Sequence, residues 1–591
     1  MTCRVLGEIM LKKEVLIEKS LDGLSIVKIV KDGKAVYLGS KYNMQREIEN
    51  FLAQLGDEKV KTILVFGLGS GEHIKKLLNK NEVAKVYVFE PDEDVLSKVR
   101  VSHVCDDIFN VDGVYVGKYD KNQFKFLINH IITEVNLEYF KIMCFANYGF
   151  IFGEEYKEFL SIIKKKAVNI KINKNTKFNF SELWFDTFVR NMLYLKDAVC
   201  VNALRNLYKG KTAVIVSAGP SLEKNVHLLK GKEDGLIIIT GGRTVGALLG
   251  YGIKPDFLCV IDPVGITYKL MEKYLYLDVP LIFYEGTNAD IVEKYNGKKI
   301  FYAKEPFVKR FLEKDIDTLL SGGSVAITCL GLAIYLGCKN IIFIGQDLAF
   351  TNDKLHASNA ILENEKNEVK KKTILVKGID GNLVKTDYSL NMFRETIESI
   401  IQAYSENNYI NATEGGAHIE GTKIMRLEEA ISEFYCRDLC KKDLDIQSNE
   451  FDYNLIYEKL SNALSDFETI QVKCKEGMRI VKNIREERFL INTSLKNKIA
   501  SKLRRLDSID HEIRKRFENN GFSNIILYPV TMAILSDIEN TVLESDSEEV
   551  KLEKALNRSH NMYENIYNRL DIAIRILKNR LNAGGSFEDD R

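Results

Sequence analysis

Apolar positions along this chain fall into three successive regimes. Residues 20–40 (SLDGLSIVKIVKDGKAVYLGS) alternate around Lys31-Asp32-Gly33-Lys34, the pattern of a β-hairpin closed by a tight turn. Residues 40–55 then take up helical spacing as a capped helix. From Thr62 onward the pattern becomes short apolar runs: Thr62–Phe66, Val86–Phe89, Ala213–Val216, Leu236–Ile239, Phe257–Ile261, Leu281–Tyr284, Lys299–Tyr302 and Ile341–Ile344. The runs at 213, 236 and 257 are rich in branched residues and lead into Gly, Ser, Thr or Asp, as buried parallel strands do when helices cover both faces of their sheet. Past residue 426 the period is helical. Leu495, Ile499, Leu503, Leu506, Ile509, Ile513 and Phe517 recur in steps of three and four, as do Met562, Ile566, Leu570, Ile574, Leu577 and Leu581. With Leu460, Leu464 and Phe467 these predict at least three long packed helices.

The expected class is therefore α/β, with two Rossmann-like doubly wound domains, N-terminal and central, followed by an all-α helical bundle. The predicted boundaries are 1–60 for the hairpin and helix, 61–180 for the first Rossmann-like domain, and 181–207 for a connecting helix carrying the single tryptophan, Trp184. The central α/β domain spans 208–425 and the bundle 426–591. Proline use agrees: six of seven prolines precede residue 307, leaving only Pro529 in the helical third.

Composition narrows the class. Of 591 residues, 45% are hydrophobic and 28% charged, as in ordinary soluble proteins. Lys+Arg 84 against Asp+Glu 83 leave a net charge of +1, so no global basic field points to nucleic acid or an anionic membrane. The N-terminus lacks a basic start followed by an apolar core, and no apolar stretch reaches about 18 residues. The expectation is a cytoplasmic protein without membrane insertion. The ten cysteines are scattered; Cys436 and Cys440, four apart, read as core-facing thiols on a helix rather than as metal ligands.

Candidate chemistry gathers at strand ends. The Gly67-Leu68-Gly69-Ser70-Gly71 turn, with Glu90 about twenty residues on, has the form of a dinucleotide or S-adenosylmethionine unit in which the acid takes ribose hydroxyls. Residues 211–262 repeat the strand-to-turn theme three times, at Ser217-Ala218-Gly219-Pro220, Thr240-Gly241-Gly242 and Asp262-Pro263. Gly219 lets a backbone approach a ligand, and Ser221 is placed to cap the following helix, whose N–H groups favour an anion. Gly322-Gly323-Ser324 opens another helix, and the strand at 341–344 ends in Gly345-Gln346-Asp347-Leu348-Ala349. His356 lies on the long insertion beyond, where active-site loops are found. No Asp-X-Asp pair ends a strand, so no metal site is expected.

Five ordered motifs carry a resemblance: Gly219-Pro220-Ser221-Leu222, Gly252-Ile253-Lys254-Pro255-Asp256, Gly323-Ser324-Val325, Gly345-Gln346-Asp347-Leu348-Ala349 and Asn411-Ala412-Thr413-Glu414-Gly415-Gly416. Together with the early Ser40-Lys41-Tyr42-Asn43 run, they resemble the motility-associated factor (Maf) flagellin glycosyltransferases, whose central domain is similar to bacterial sialyltransferases. The Lys-rich insertion 357–385 departs from that pattern. The resemblance implies transfer of a nonulosonic acid, pseudaminic or legionaminic, from a CMP-sugar to Ser/Thr of flagellin, with inversion and with no cofactor beyond the donor. It implies nucleotide-sugar binding by Gly219, Pro220, Ser221, Thr240, Gly241, Arg243, Asp262, Gly322, Gly323, Ser324, Gln346, Thr413 and Glu414. Arg243 pairs with phosphate or sugar carboxylate, Asp347 either contacts hydroxyls in catalysis or holds a turn, and His356 is the general base. A 6-hydroxymethylpterin pyrophosphokinase-like enzyme, related through the same central domain, and a non-catalytic flagellin-binding factor are the alternatives.

Overall fold

The computed structural model describes residues 13–56, 60–80, 85–361, 373–441, 450–487, 493–537, 539–543 and 545–585. The middle of the Lys-rich insertion and the last six residues lie outside them. The chain forms two compact units, Met1–Phe180 with Tyr528–Met562, and Ser181–Leu527 with Tyr563–Arg591.

The first unit opens with an antiparallel meander, β1 (Glu14–Lys19), β2 (Ser25–Lys31) and β3 (Lys34–Leu38). Its second turn has both central residues left-handed, Asp32 at φ 52° and Gly33 at φ 72°, the geometry that matches strand twist in a two-residue hairpin. The helix Met44–Ala53 follows, capped by Asn43, whose side chain accepts from the Arg46 N–H. A four-stranded parallel sheet completes the unit: β4 (Thr62–Phe66), β5 (Lys85–Glu90), β6 (Val114–Lys118) and β7 (Phe140–Cys144), in the order β6-β5-β4-β7. Ring packing among Phe66, Phe89, Phe124 and Phe159 fills one face.

The second unit is built on a nine-stranded sheet whose pairings are all parallel. In chain order its strands are β8 (Ala198–Cys200), β9 (Thr212–Val216), β10 (Ile237–Gly241), β11 (Phe257–Cys259), β12 (Leu281–Phe283), β13 (Lys299–Phe301), β14 (Asn340–Ile344), β17 (Asn408–Asn411) and β18 (Lys423–Ile424). Their order across the sheet is β18-β17-β14-β9-β10-β11-β12-β13-β8. From β9 the chain steps outward through β13, then returns to place β14 on the other side of β9. The gap between β9 and β14 is thus the switch point at which a doubly wound sheet opens a crevice. A separate ribbon, β15 (Ile374–Lys377) with β16 (Leu383–Thr386), ends the insertion.

Three readings need correction. The helix expected at 181–207 runs instead from Gly153 to Leu193. Its earlier stretch already carries apolar residues at helical spacing, with Phe159, Ile163 and Ile170 buried, and no proline to stop it. Near its end the buried face is Phe185, Phe188, Val189 and Met192, leaving Leu183 exposed, and Ala198–Cys200 is a sheet-edge strand. Cys436 and Cys440 lie beyond the helix Leu427–Phe434, Cys440 exposed, so they are not core thiols of a helix. The helices of the last third do not make a unit of their own, because 528–562 cluster with the first unit and the remainder with the second.

Those helices are Tyr453–Glu487, Thr493–Asn519, Ser523–Ser536 and Glu548–Gly585. Within the second unit, the bare face of Gly477 accepts the Tyr563 ring, whose hydroxyl donates to Asp510 at 2.5 Å. Arg505 grips both carboxylate oxygens of Glu476 at 2.8 and 3.0 Å. No described helix is long and apolar enough to cross a membrane.

Candidate functional site

At the carboxyl ends of β9, β10, β11 and β14 lies a cavity of about 330 Å³. One wall is a clasp between two turns. Asp347 is almost fully buried and accepts from the Ser221 N–H, from Ser221 Oγ at 2.7 Å and from Thr351 Oγ1 at 2.5 Å. Burial raises its pKa, opposed by those hydrogen bonds. Gly219 donates its N–H to the Gly345 carbonyl at 2.8 Å. Ser217 Oγ donates to Gln346 Oε1 at 2.5 Å, and the Gln346 N–H donates to Thr413 Oγ1 at 3.1 Å. Gly345 (φ 61°) and Leu348 (φ 49°) both take left-handed backbone to make this turn, a conformation that costs energy at leucine and persists only where surroundings impose it.

The clasp changes the reading of Ser221. The following α-segment is a single turn, Leu222–Asn225, and Ser221 makes no capping bond to it. Its N–H and hydroxyl are both spent on Asp347, so the 219–221 turn supplies no anion-binding helix start.

The opposite wall does. The helices Gly242–Gly250 and Val325–Tyr335 both begin at the cavity, through Gly241–Thr244 and Gly323–Ala326. Neither start has a side-chain capping bond, at Gly241 or at Ser324. Helix starts leave backbone N–H groups without intrahelical partners at the positive end of the dipole, which favours an anion. Close approach demands glycine: a Cβ on Gly241 would stand 2.7 Å from Val325 Cγ1. Arg243 lines the same wall and donates to the Ala360 carbonyl at 3.1 Å. Asp262, past the end of β11, faces the cavity; solvent reaches its carboxylate, yet the protein atoms ringing it raise its pKa against the opposing charges of Lys304 and Arg243.

The mouth is apolar. Ile266 and Leu270, on the helix Gly265–Met271, and Leu390 and Phe393, on the helix Tyr388–Ala403, contribute apolar lining. His356 and Leu355 close it from the insertion, whose backbone is tied down where the Ala357 N–H donates to the Ala218 carbonyl.

Of the residues singled out in the sequence, the cavity thus gathers Gly219, Gly241, Arg243, Asp262, Gly323, Ser324, Gln346, Asp347 and His356. Pro220, Ser221, Thr240, Gly322, Thr413 and Glu414 are not among its lining. Thr240 Oγ1 donates to the Val216 carbonyl, Thr413 steadies Gln346, and the Glu414 carbonyl accepts from Lys224. Sequence reasoning placed Ser217 in the strand-end turn without giving it a role, and it missed the apolar pairs. The Leu390/Phe393 spacing marks a helix face but not what it faces.

The glycine turn of the first unit is filled by its own side chains. Glu90 is fully buried and accepts from the Leu68 and Asp92 N–H groups at 2.9 and 3.0 Å and from the Tyr148 hydroxyl at 2.6 Å. The Gly69 N–H donates to Tyr148 Oη at 2.8 Å. The Tyr148 ring lies where a Cβ of Gly67 would be, and Phe145 packs on Gly69. Glu90 therefore points inward, and the ribose contact expected of it is not available.

Residues 13–98 match the family model of the glycosyltransferase Maf N-terminal domain. The fold also matches the solved structure of a Maf glycosyltransferase from Magnetospirillum magneticum AMB-1, with a TM-score of 0.54 and 14% identity over 98% of this chain and 93% of that one. The chain carries a Maf N-terminal domain and the Maf fold. Within this Maf-like chain, residues 186–353 match the 6-hydroxymethylpterin diphosphokinase MptE-like model, which takes in the cavity except for Leu355, His356, Leu390 and Phe393. Among curated relatives, the chain is 28% identical over 99 residues to an uncharacterized protein of Treponema pallidum, spanning 46% of that protein. It is 24% identical over 177 residues to a 6-hydroxymethyl-7,8-dihydropterin pyrophosphokinase of Methanocaldococcus jannaschii, spanning 73% of it.

Proposed function

We propose that this Maf-like chain is a glycosyltransferase that moves a nonulosonic acid from its CMP-activated form to a serine or threonine of flagellin. The observation that carries the reading is the pair of uncapped helix starts, at Gly242 and Val325, meeting Arg243 at the sheet's switch point. A CMP-sugar presents one phosphodiester and one sugar carboxylate, two anions for two helix starts and a guanidinium. Phe393 and the other apolar mouth residues offer surface to the base and to the acyl groups of the sugar. Asp347 acts as a positioning residue that ties the 219–221 turn, through Ser221, to Thr351. The acceptor proton goes to one of two cavity groups, His356 on the insertion or Asp262 at the sheet edge. In-line displacement inverts the anomeric carbon.

The match over 186–353 favours a second reading, pyrophosphoryl transfer from ATP to a pterin. Phosphoryl transfer needs divalent metal bridging the phosphates. Thermal shift of the purified chain separates the two: stabilisation by CMP and not by ATP with Mg²⁺ supports the transferase, and the reverse result supports the kinase. Mass spectrometry of flagellin co-expressed with the chain and a nonulosonate pathway then tests transfer. Unmodified flagellin, with the CMP-sugar shown to be present, would refute flagellin as the acceptor.

A further inference from the structure

The strands β10, β11, β12 and β13 are neighbours, and each ends near a charged or polar side chain on the same edge of the sheet: Arg243, Asp262, Tyr284 and Lys304. The Lys304 ammonium stands 5.0 Å from the Tyr284 ring centroid, and both Lys304 and Arg243 act electrostatically on Asp262, as does Asp262 on Tyr284. Within this row Asp262 is the one carboxylate that faces the cavity. Among the described residues its carboxylate accepts no hydrogen bond, whereas Asp347, the other acid of the cavity, is committed to Ser221 and Thr351. A free carboxylate cannot share a locus with phosphate, since like charges at that distance repel strongly. The anion belongs at the helix starts and Arg243, which leaves Asp262 facing a neutral hydroxyl.

Resting on the transferase reading above, we propose that Asp262, rather than His356, is the catalytic base that takes the acceptor's proton, and that Lys304 tunes it. In the step, the acceptor oxygen forms its bond to the anomeric carbon as its proton passes to the Asp262 carboxylate. The bond from that carbon to the phosphate oxygen breaks, and its electron pair leaves with CMP. Ringed by protein, Asp262 is a stronger base than a free carboxylate, which suits proton abstraction near neutral pH. The charged and titratable groups acting on it are Arg243 from the helix after β10, Tyr284 from the end of β12 and Lys304 beyond β13, and His356 and Asp347 line the same cavity.

The experiment is the pH dependence of transfer by the full-length protein, from a CMP-nonulosonate to flagellin, beside CMP affinity by calorimetry. The Asp262→Asn variant is expected to bind CMP as the parent does, to lose roughly 10²–10⁴-fold in kcat, and to lose the acidic limb of the profile. Lys304→Met removes a charge that lowers the Asp262 pKa, so its acidic limb moves to higher pH while the plateau is kept. An unchanged limb in both variants, with CMP still bound, overturns the assignment to Asp262 alone. A parent protein that does not bind CMP overturns the transferase reading and this one with it. Where CMP binds but flagellin is not modified, hydrolysis of the donor is followed instead, with water as the acceptor. Equal hydrolysis by Asp262→Asn and the parent then overturns the proposal. Should Asp262→Asn fail to fold, Lys304→Met alone decides by whether its limb moves.

Discussion

Replacing Gly219 with alanine tests whether the clasp holds the site together. A Cβ at Gly219 would lie 2.7 Å from Asp347 Cγ, and closer still to Asp347 Oδ1 and the Gly345 carbonyl oxygen. The carbonyl is backbone and cannot swing aside, so Asp347 must turn or the 217–221 loop must lift. If Asp347 turns, the charge-assisted bonds from Ser221 Oγ and Thr351 Oγ1, at 2.7 and 2.5 Å, are lost together; such bonds are worth about 1.5–3 kcal/mol each when buried. If the loop lifts, overpacking costs about 1–3 kcal/mol. Either way the expected loss is about 3 kcal/mol, which for a large domain lowers Tm by roughly 6–12 °C. Gly250 supplies the control: it ends the helix Gly242–Gly250, and a Cβ there meets nothing within 4 Å. Gly250→Ala should therefore be neutral or stabilising by up to about 1 kcal/mol. The assay is calorimetric unfolding of both variants beside the parent. A Gly219→Ala protein melting within about 2 °C of the parent, a shift below the ~1 kcal/mol scale, would refute the clasp argument.

Two further outcomes follow from buried groups. Burial pushes Glu90 up to about 7 from an ordinary 4.5, and pushes His73 down to about 3 from 6.5. A raised carboxyl makes the folded state bind the extra proton, so its contribution to stability falls as pH rises from about 4.5 to 7; a depressed histidine has the opposite sign from about 3 to 6.5, each at roughly 1.4 kcal/mol per pH unit at most. The two oppose each other between pH 4.5 and 6.5, so His73→Gln should melt progressively lower across that range and Glu90→Gln progressively higher; equal slopes in the two variants would refute the assignment. In the second unit, Gly477→Ala places a Cβ 2.5 Å from the Tyr563 ring. Despite better helix propensity it should destabilise by about 1–3 kcal/mol, and Tyr563→Leu should restore most of that loss in the double variant, as a melting series would show.

Most strands were legible because a buried parallel strand needs branched apolar residues and almost nothing else. Ile341–Ile344 became Asn340–Ile344, and Leu281–Tyr284 became Leu281–Phe283. What escaped were features decided by distant partners. Ala198–Cys200 is three residues long, too short for periodicity, and is a strand only because β13 pairs with it. Ser221 has the composition of a cap, but Asp347, 126 residues away, captures its hydroxyl first. The cavity's polar wall was visible because glycine before a helix has a local cause. Its apolar wall was not, because Phe393 and Ile266 look like any helix residues until the helices are placed together.

The two glycine turns of this chain separate motif from site. At Gly67–Gly71 four backbone donors are consumed: Gly67 N–H by the Phe89 carbonyl, Leu68 by Glu90, Gly69 by Tyr148 and Gly71 by the Leu68 carbonyl. A buried carboxylate and a phenol stand where an anion would stand, and a phosphate arriving there would have to displace both while meeting the Glu90 charge. At Gly241–Arg243 and Gly323–Val325 the same local chemistry, small residues leading into a helix, carries no capping side chain and opens on a cavity. The difference is not in the glycines. It lies in Tyr148, carried by the turn that follows β7, which covers the glycine loop of the first sheet, while on the second sheet the carboxyl ends of β10 and β11 bear Arg243 and Asp262, which leave the space open. A glycine-rich strand end stays open to a ligand when neighbouring side chains leave it uncovered, and among the described residues the second sheet does so at Gly241 and Gly323.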